Sequence, residues 1–201
     1  MEYGSRIRFV LFTLLGVLFL ILSAWGIIAI ARNVFGTSDK SDTAKVQKVD
    51  LADFARASTA VKLRVEGPIV ANEQFVSYEI EVSQNFRKIT TYKGYENIIT
   101  SEKRYDNNVE AYRTFLRALD RAGYVTRVAG ASDDETAACA TGRRFIYYVS
   151  DESEEVSRLW NTSCSAKQGT MTGTGSAVRS LFKAQTPDHR TILVGPLSIL
   201  R

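Results

Sequence analysis

The stretch GRRFIYYVSDESEEVSRLWNTSCS, residues 142–165, predicts a β-hairpin and carries one of the chain's two cysteines. Apolar and aromatic residues flank the acidic run 151–155, which is typical of a turn between two strands. We predict a register with Val149 opposite Val156, and three further pairs follow: Phe145 with Trp160, Tyr147 with Arg158, and Ile146 with Leu159. Cross-strand pairs of aromatic and aliphatic side chains stabilise an antiparallel sheet.

The same register predicts a disulfide bond between Cys139 and Cys164. If the pairing of the two strands continues to the end of the hairpin that is opposite the turn, the two cysteines lie within a residue or two of facing each other. They are 25 positions apart in the sequence. A disulfide needs Cα atoms about 5–6 Å apart, which such a hairpin supplies. Persistent disulfides belong to oxidising compartments. The alternative is two unrelated free thiols.

Upstream of the hairpin, apolar and polar residues alternate with the period of a strand. We predict four strands that form an antiparallel meander with one face in water, over residues 61–65, 76–82, 86–92 and 97–105. The spacing then becomes helical over 109–119, after a cap at Asn107 or Asn108 and before Gly123. Residues 124–128 are predicted to return as a strand. The fold class is therefore α+β, with a helix packed on an antiparallel sheet.

Two more elements are predicted after the hairpin. Residues 176–185 form a short helix that is capped by Ser176 and ended by Pro187. The apolar tail 191–200 forms a final strand, or alternatively an edge that binds a partner.

The run of residues 9–31 contains no charged residue and predicts a transmembrane helix. Its 23 residues would extend about 34 Å as a helix, and the hydrocarbon core of a bilayer is about 30 Å thick. It is also longer than the apolar part of a signal peptide, so we expect an uncleaved anchor in the cytoplasmic membrane. This divides the chain into a cytoplasmic N-terminus (1–8), a single span (9–31), a polar stalk (32–50) and one extracytoplasmic domain (51–201).

The charges near the span do not by themselves decide its orientation. Arg6 and Arg8 precede it, whereas Arg32 and three lysines follow it. Long domains translocate largely regardless of such charges, so we expect the N-terminus inside and the domain outside. Leaving out the three arginines and one glutamate that flank the span lowers the formal charge from +4 to +2. That balance predicts no nucleic-acid partner.

The residues needed for common catalytic centres are largely missing. Cysteine transpeptidases of the sortase type need a histidine upstream of the cysteine, and the only histidine here, His189, lies downstream of Cys164. One histidine and two separated cysteines also make a zinc site improbable, so we expect no metal and no cofactor. An enzyme would require a free Cys164 that meets His189 in the fold.

Four features could form binding surfaces, and each has a structural alternative. Arg113, Arg117 and Arg121 lie four residues apart on one helix face, which could contact anionic glycans or lipid headgroups or could be a solvated face. The run 169–176, GTMTGTGS, could bind an anion at a helix N-terminus, but it lacks the lysine of a P-loop. Three hairpin aromatics could stack on sugars or lie in the core: Tyr147, Tyr148 and Trp160. Asn161 begins an N-glycosylation sequon.

The C-terminal third resembles membrane-anchored proteins of uncharacterised function from candidate-phylum, Saccharibacteria-like bacteria. The similarity covers about 50 residues in ACATGRRFIYYV, RLWNTSCS and GTMTGTGSAVRSLFKAQTPD, and it rests on the two cysteines, Trp160 and the Gly-rich loop. The resemblance implies a bacterial surface location and no particular activity.

Together these features predict a single-pass membrane protein whose outer domain has a binding or structural role. We expect a protein or glycan partner in the cell envelope, or a place as an accessory subunit of a membrane complex. The alternative is an envelope enzyme that acts on wall or glycan substrates through a free Cys164.

Overall fold

The computed structural model describes residues 51–56, 58–165, 169–172 and 174–201. The predicted N-terminus, membrane span and stalk, residues 1–50, lie outside the described residues. Within the part of the chain that is described, no helix is both long enough and apolar enough to cross a membrane.

The fold is built on one six-stranded antiparallel sheet. The strands are β1 (Thr59–Glu66), β2 (Val76–Ser83), β3 (Phe86–Lys93), β4 (Ile98–Asp106), β5 (Arg144–Asp151) and β6 (Glu154–Thr162), in the spatial order β4-β3-β2-β1-β5-β6. The meander and the hairpin are thus joined through the pairing of β1 with β5, and the predicted α+β class is confirmed.

The part of the chain that the structure describes also holds three helices and two 3₁₀ helices: α1 (Val109–Arg121), α2 (Gly175–Ala184), the single turn α3 (His189–Ile192), and 3₁₀ helices at Leu51–Phe54 and Gly195–Leu200. The predicted caps of α1 are confirmed. Asn108 accepts a hydrogen bond from the Ala111 N–H at 2.9 Å, and Gly123 has the positive φ (77°) typical of the position after a helix.

The main core lies between one face of the sheet and the helices. Strand residues such as Leu63 and Ile80 alternate toward it, and both are fully buried. Phe115 of α1 meets Phe182 of α2 edge to face, with ring centroids 5.3 Å apart. The Tyr124 hydroxyl also links two neighbouring strands, because its one proton is shared between the main-chain carbonyls of Lys62 on β1 (2.8 Å) and Tyr148 on β5 (2.6 Å).

The predicted hairpin forms, but most of its predicted register is wrong. The turn residues Glu152 and Ser153 have positive φ, and Ser150 lies opposite Glu155 as the predicted register requires. A β-bulge then places Val149 opposite Ser157 and leaves the exposed Val156 as the extra residue. Beyond the bulge every pair is shifted by one, so Trp160 lies opposite Ile146 and faces away from the main core.

The disulfide bond between Cys139 and Cys164 is confirmed, with Cα atoms 5.5 Å apart. It ties the segment after Val128 to the end of β6, on the sheet face opposite the helices. There Ala138 packs against Ile146 and Trp160 as a second, smaller apolar cluster.

Three further predictions are corrected. Residues 124–128 form no strand but a single bridge, Arg127 with Met171, because the chain turns at Gly123 and again after Val128. Helix α2 begins at Gly175 after an N-cap at Thr174, not at Ser176. The tail forms α3 and a 3₁₀ helix rather than a strand, since Pro196 has no N–H for a ladder and Gly195 has a φ of 57°.

Candidate functional site

Five cationic side chains from separate parts of the chain gather beside α2, and we call them the basic cluster. They are Arg143, Arg179, Lys183, Arg190 and Arg201. Arg179 and Lys183 are four residues apart and so share one side of α2, while Val178 and Phe182 bury the other side. The others come from the chain just before β5, from α3, and from the residue after the second 3₁₀ helix.

No aspartate or glutamate side chain among the described residues balances the cluster. None of its five members forms an ion pair with such a side chain. Two arginines are instead satisfied by main-chain oxygens. Arg143 donates to the carbonyl of Arg201, and Arg201 donates to those of Leu193 (2.7 Å) and Arg190 (2.8 Å).

The excess of positive charge helps to lower the pKa of two basic groups in or beside the cluster. Burial lowers the pKa of Lys183, and the nearby charges of Arg143, Arg179 and Arg190 lower it further. Burial likewise lowers the pKa of His189, and Lys183 contributes in the same direction. A bound anion would relieve both effects, because an opposite charge favours the protonated form of each base.

An aromatic ring holds part of the cluster in place. The guanidinium carbons of Arg179 and Arg143 lie 4.1 Å and 5.9 Å from the ring centre of Phe145, which is buried. Such cation–π contacts favour a planar guanidinium. The two arginines are therefore positioned before any ligand arrives.

His189 gives a first prediction, because it is buried and its Nε2 has no hydrogen-bond partner. Its pKa is lowered in the folded chain, so below the ordinary histidine value of about 6.5 the unfolded chain binds the proton more readily. We therefore expect the free energy of unfolding to fall as the pH drops from about 7.5 to about 5.5, one unit either side of that value, and to fall less in His189→Gln.

Urea unfolding of both chains across this range tests the prediction. Since His189 is the only histidine in the chain, its imidazole NMR signal also reports the pKa without ambiguity. A measured pKa at or above the ordinary value would contradict the prediction.

The residues predicted as a ligand surface do not join the cluster. Arg113, Arg117 and Arg121 lie on the outer side of α1, where Arg113 pairs with Glu110 at 3.1 Å. The free Cys164 required for the enzyme alternative is not present, because that sulfur is bonded to Cys139.

The other predicted features are also placed. Tyr147 and Trp160 are core residues. Asn161 of the sequon is half-buried, and its side-chain oxygen accepts a hydrogen bond from the Tyr147 hydroxyl at 3.0 Å. A glycan would be attached to the side-chain nitrogen Nδ2, which lies against Gly175 at the start of α2.

The basic cluster was missed at the sequence level. Its members are spread from residue 143 to residue 201 with no common spacing, and the domain as a whole is nearly neutral. Only the pair Arg179 and Lys183, four apart on a predicted helix, was a visible signal.

Comparison with known proteins adds no relative. No protein-family model matches the chain, and neither does any curated protein at significant similarity. The functional argument therefore rests on the site itself.

Proposed function

We propose that this chain is a single-pass membrane protein whose extracytoplasmic domain binds an anionic glycan polymer of the cell envelope. The observation that carries the proposal is the basic cluster, five cations without an Asp or Glu partner among the described residues. Positive potential of this kind attracts polyanions and orients them on the surface.

Three features support the envelope location. The apolar run 9–31 has the length of a membrane span. The disulfide is typical of an oxidising compartment. The resemblance to Saccharibacteria-like surface proteins points the same way. Binding is favoured over catalysis because Cys164, the nucleophile considered in the sequence, is consumed in the disulfide.

Heparin, a sulfated glycan, is a suitable probe for the full chain in an uncharged detergent. We expect the double variant Lys183→Gln/Arg190→Gln to elute from immobilised heparin at lower salt and to bind about tenfold more weakly, since each exposed charge contributes up to about 1 kcal/mol. The matched control is Arg117→Gln/Arg121→Gln, which removes the same charge from the exposed face of α1.

The control decides whether the arrangement matters or only the net charge. If the control elutes like the wild type, the basic cluster is the binding surface. If both variants lose affinity equally, binding is non-specific and the proposal fails. If only the control loses affinity, the arginine face of α1 is the ligand surface instead. Failure of the full chain to bind heparin at low salt also contradicts the proposal.

A further inference from the structure

Several hydrogen-bond donors converge at the start of α2, next to the basic cluster. Gly175 is the first residue of this helix and has no Cβ. A Cβ built there would lie 2.6 Å from Asn161 Nδ2 and 2.9 Å from Arg179 Nη1. Glycine at this position is therefore what lets both side chains approach the helix N-terminus.

Among the described residues, the first N–H groups of α2 have no acceptor. The Thr174 side chain makes no capping hydrogen bond, and no described group accepts from the main-chain N–H of Gly175 or Ser176. Unpaired N–H groups and the helix dipole make such an end attractive to negative charge.

A buried hydroxyl on the same sheet face is also without a partner among the described residues. Tyr78 on β2 is fully buried, and its hydroxyl finds no hydrogen bond there. Tyr78 lies opposite Val65 of β1, and Val65 lies opposite Phe145 of β5, so Tyr78 shares one row across the sheet with the ring that carries the two arginines. Burial raises the pKa of this hydroxyl, and the charges of Arg143 and Arg179 partly offset that rise. Buried polar groups are nearly always paired, so an unpaired one indicates a missing partner.

The donors here outnumber the acceptors. Asn161 Oδ1 already accepts from Tyr147, and among the described residues Asn161 Nδ2 has only the sulfur of Met171, at 3.7 Å, as an acceptor. Sulfur is a weak acceptor. Arg179 forms no ion pair with an Asp or Glu of the described residues, and its polar neighbour is the Tyr147 hydroxyl.

We propose that this cluster, formed by Arg143, Arg179, Asn161, Tyr78 and the N-terminus of α2, is a phosphate-binding subsite. The inference rests on the proposed function and specifies which chemical group of an anionic ligand the domain recognises. A phosphate offers only acceptors, in several directions, and so complements a donor-rich site. The planar forks of two arginines suit its oxygens better than point charges would.

Calorimetric titration of the full chain in an uncharged detergent with inorganic phosphate tests the subsite. The informative variant is Tyr78→Phe. It removes a hydroxyl that has no partner in the free protein, so the melting temperature should stay the same or rise. The affinity for phosphate should nevertheless fall about tenfold, because a hydrogen bond to a charged ligand is lost.

A second pair of variants separates geometry from charge. Arg179→Lys keeps the positive charge but loses the fork, and we expect about a tenfold weaker affinity. Arg117→Lys on the exposed face of α1 is the matched control and should bind phosphate like the wild type. The proposal is overturned if phosphate does not bind, or if Tyr78→Phe and Arg179→Lys bind it as tightly as the control does.

The phosphate could come from a soluble ligand or from a lipid headgroup. Glycerol 3-phosphate tests the first source, and nanodiscs that contain phosphatidic acid test the second. Loss of binding by Tyr78→Phe in either arm supports the subsite and identifies its source, whereas binding that is insensitive to this variant in both arms overturns it.

This outcome is independent of the heparin experiment, which changes only Lys183 and Arg190. Phosphate binding without heparin binding would reject the proposed function and leave the subsite. Heparin binding without phosphate binding would reject the phosphate subsite and leave the proposed function.

Discussion

Replacing Cys139 with serine lowers the free energy of unfolding by about 3 kcal/mol, because the disulfide closes a loop between residues 25 apart. For a domain of this size the melting temperature should drop by roughly 10 °C. The loss should be concentrated on the sheet face opposite the helices, where the bond holds the segment around Ala138 over Ile146 and Trp160.

Thermal unfolding with and without reductant measures this effect, and non-reducing peptide mapping verifies the bond. The double variant Cys139→Ser/Cys164→Ser should match the single variant and should not respond to reductant. Two alkylated free cysteines in protein from native membranes would refute the prediction and would return Cys164 to the list of reactive groups to be tested.

Replacing Gly169 with alanine should destabilise the fold by about 3 kcal/mol or more, at the upper end of what overpacking costs. A Cβ at this position would overlap the main-chain oxygen of Trp160 and lie 2.7 Å from the Cα of Asn161. Both atoms belong to the backbone of β6 and cannot rotate away. The segment 169–172 would have to leave β6 and lose the hydrogen bond from Met171 N–H to Trp160 O at 3.1 Å.

Urea unfolding of this variant beside Gly130→Ala provides the comparison. Gly130 has a positive φ (71°) but no atom within 4 Å of an added Cβ, so its replacement costs only the backbone strain of about 1–2 kcal/mol. If the two alanine variants are equally stable, the close approach of Gly169 to β6 is not what holds this segment. Since the segment leads into α2, Gly169→Ala should also weaken phosphate binding.

The local elements were largely predictable from the residues. Strict alternation in the first strands and the helical spacing after Asn108 both reflect burial of one side of an element, a property that the sequence records directly. The tail shows the limit of this reasoning. In the tail, Leu193 and Leu200 are buried, whereas Val194 and Ile199 are exposed. The apolar residues there belong to two short helical segments and not to one strand.

The hairpin register shows a second limit. The turn and the pairs next to it were predictable from the sequence. The bulge at Val156 was not, because one extra residue in a strand does not change the composition or the apolar pattern enough to be recognised. One inserted residue exchanges the two faces of β6, and this decides that Trp160 lies under the disulfide-bonded segment instead of in the main core.

The sequence by itself determined the α+β class, the strands that form the sheet, the main helix, the hairpin and the pairing of the two cysteines, because each depends on spacing along the chain; the strands predicted over 124–128 and in the tail were wrong. Tertiary structure alone decided where the charge collects. The domain is nearly neutral, but its carboxylates pair with lysines and arginines elsewhere, as Glu66 does with Arg64 and Arg144. The order of the strands and the packing of α2 then bring together five cations and a hydroxyl, none of which has an Asp or Glu partner among the described residues, since contacts between distant segments are set by the fold and not by their separation in sequence.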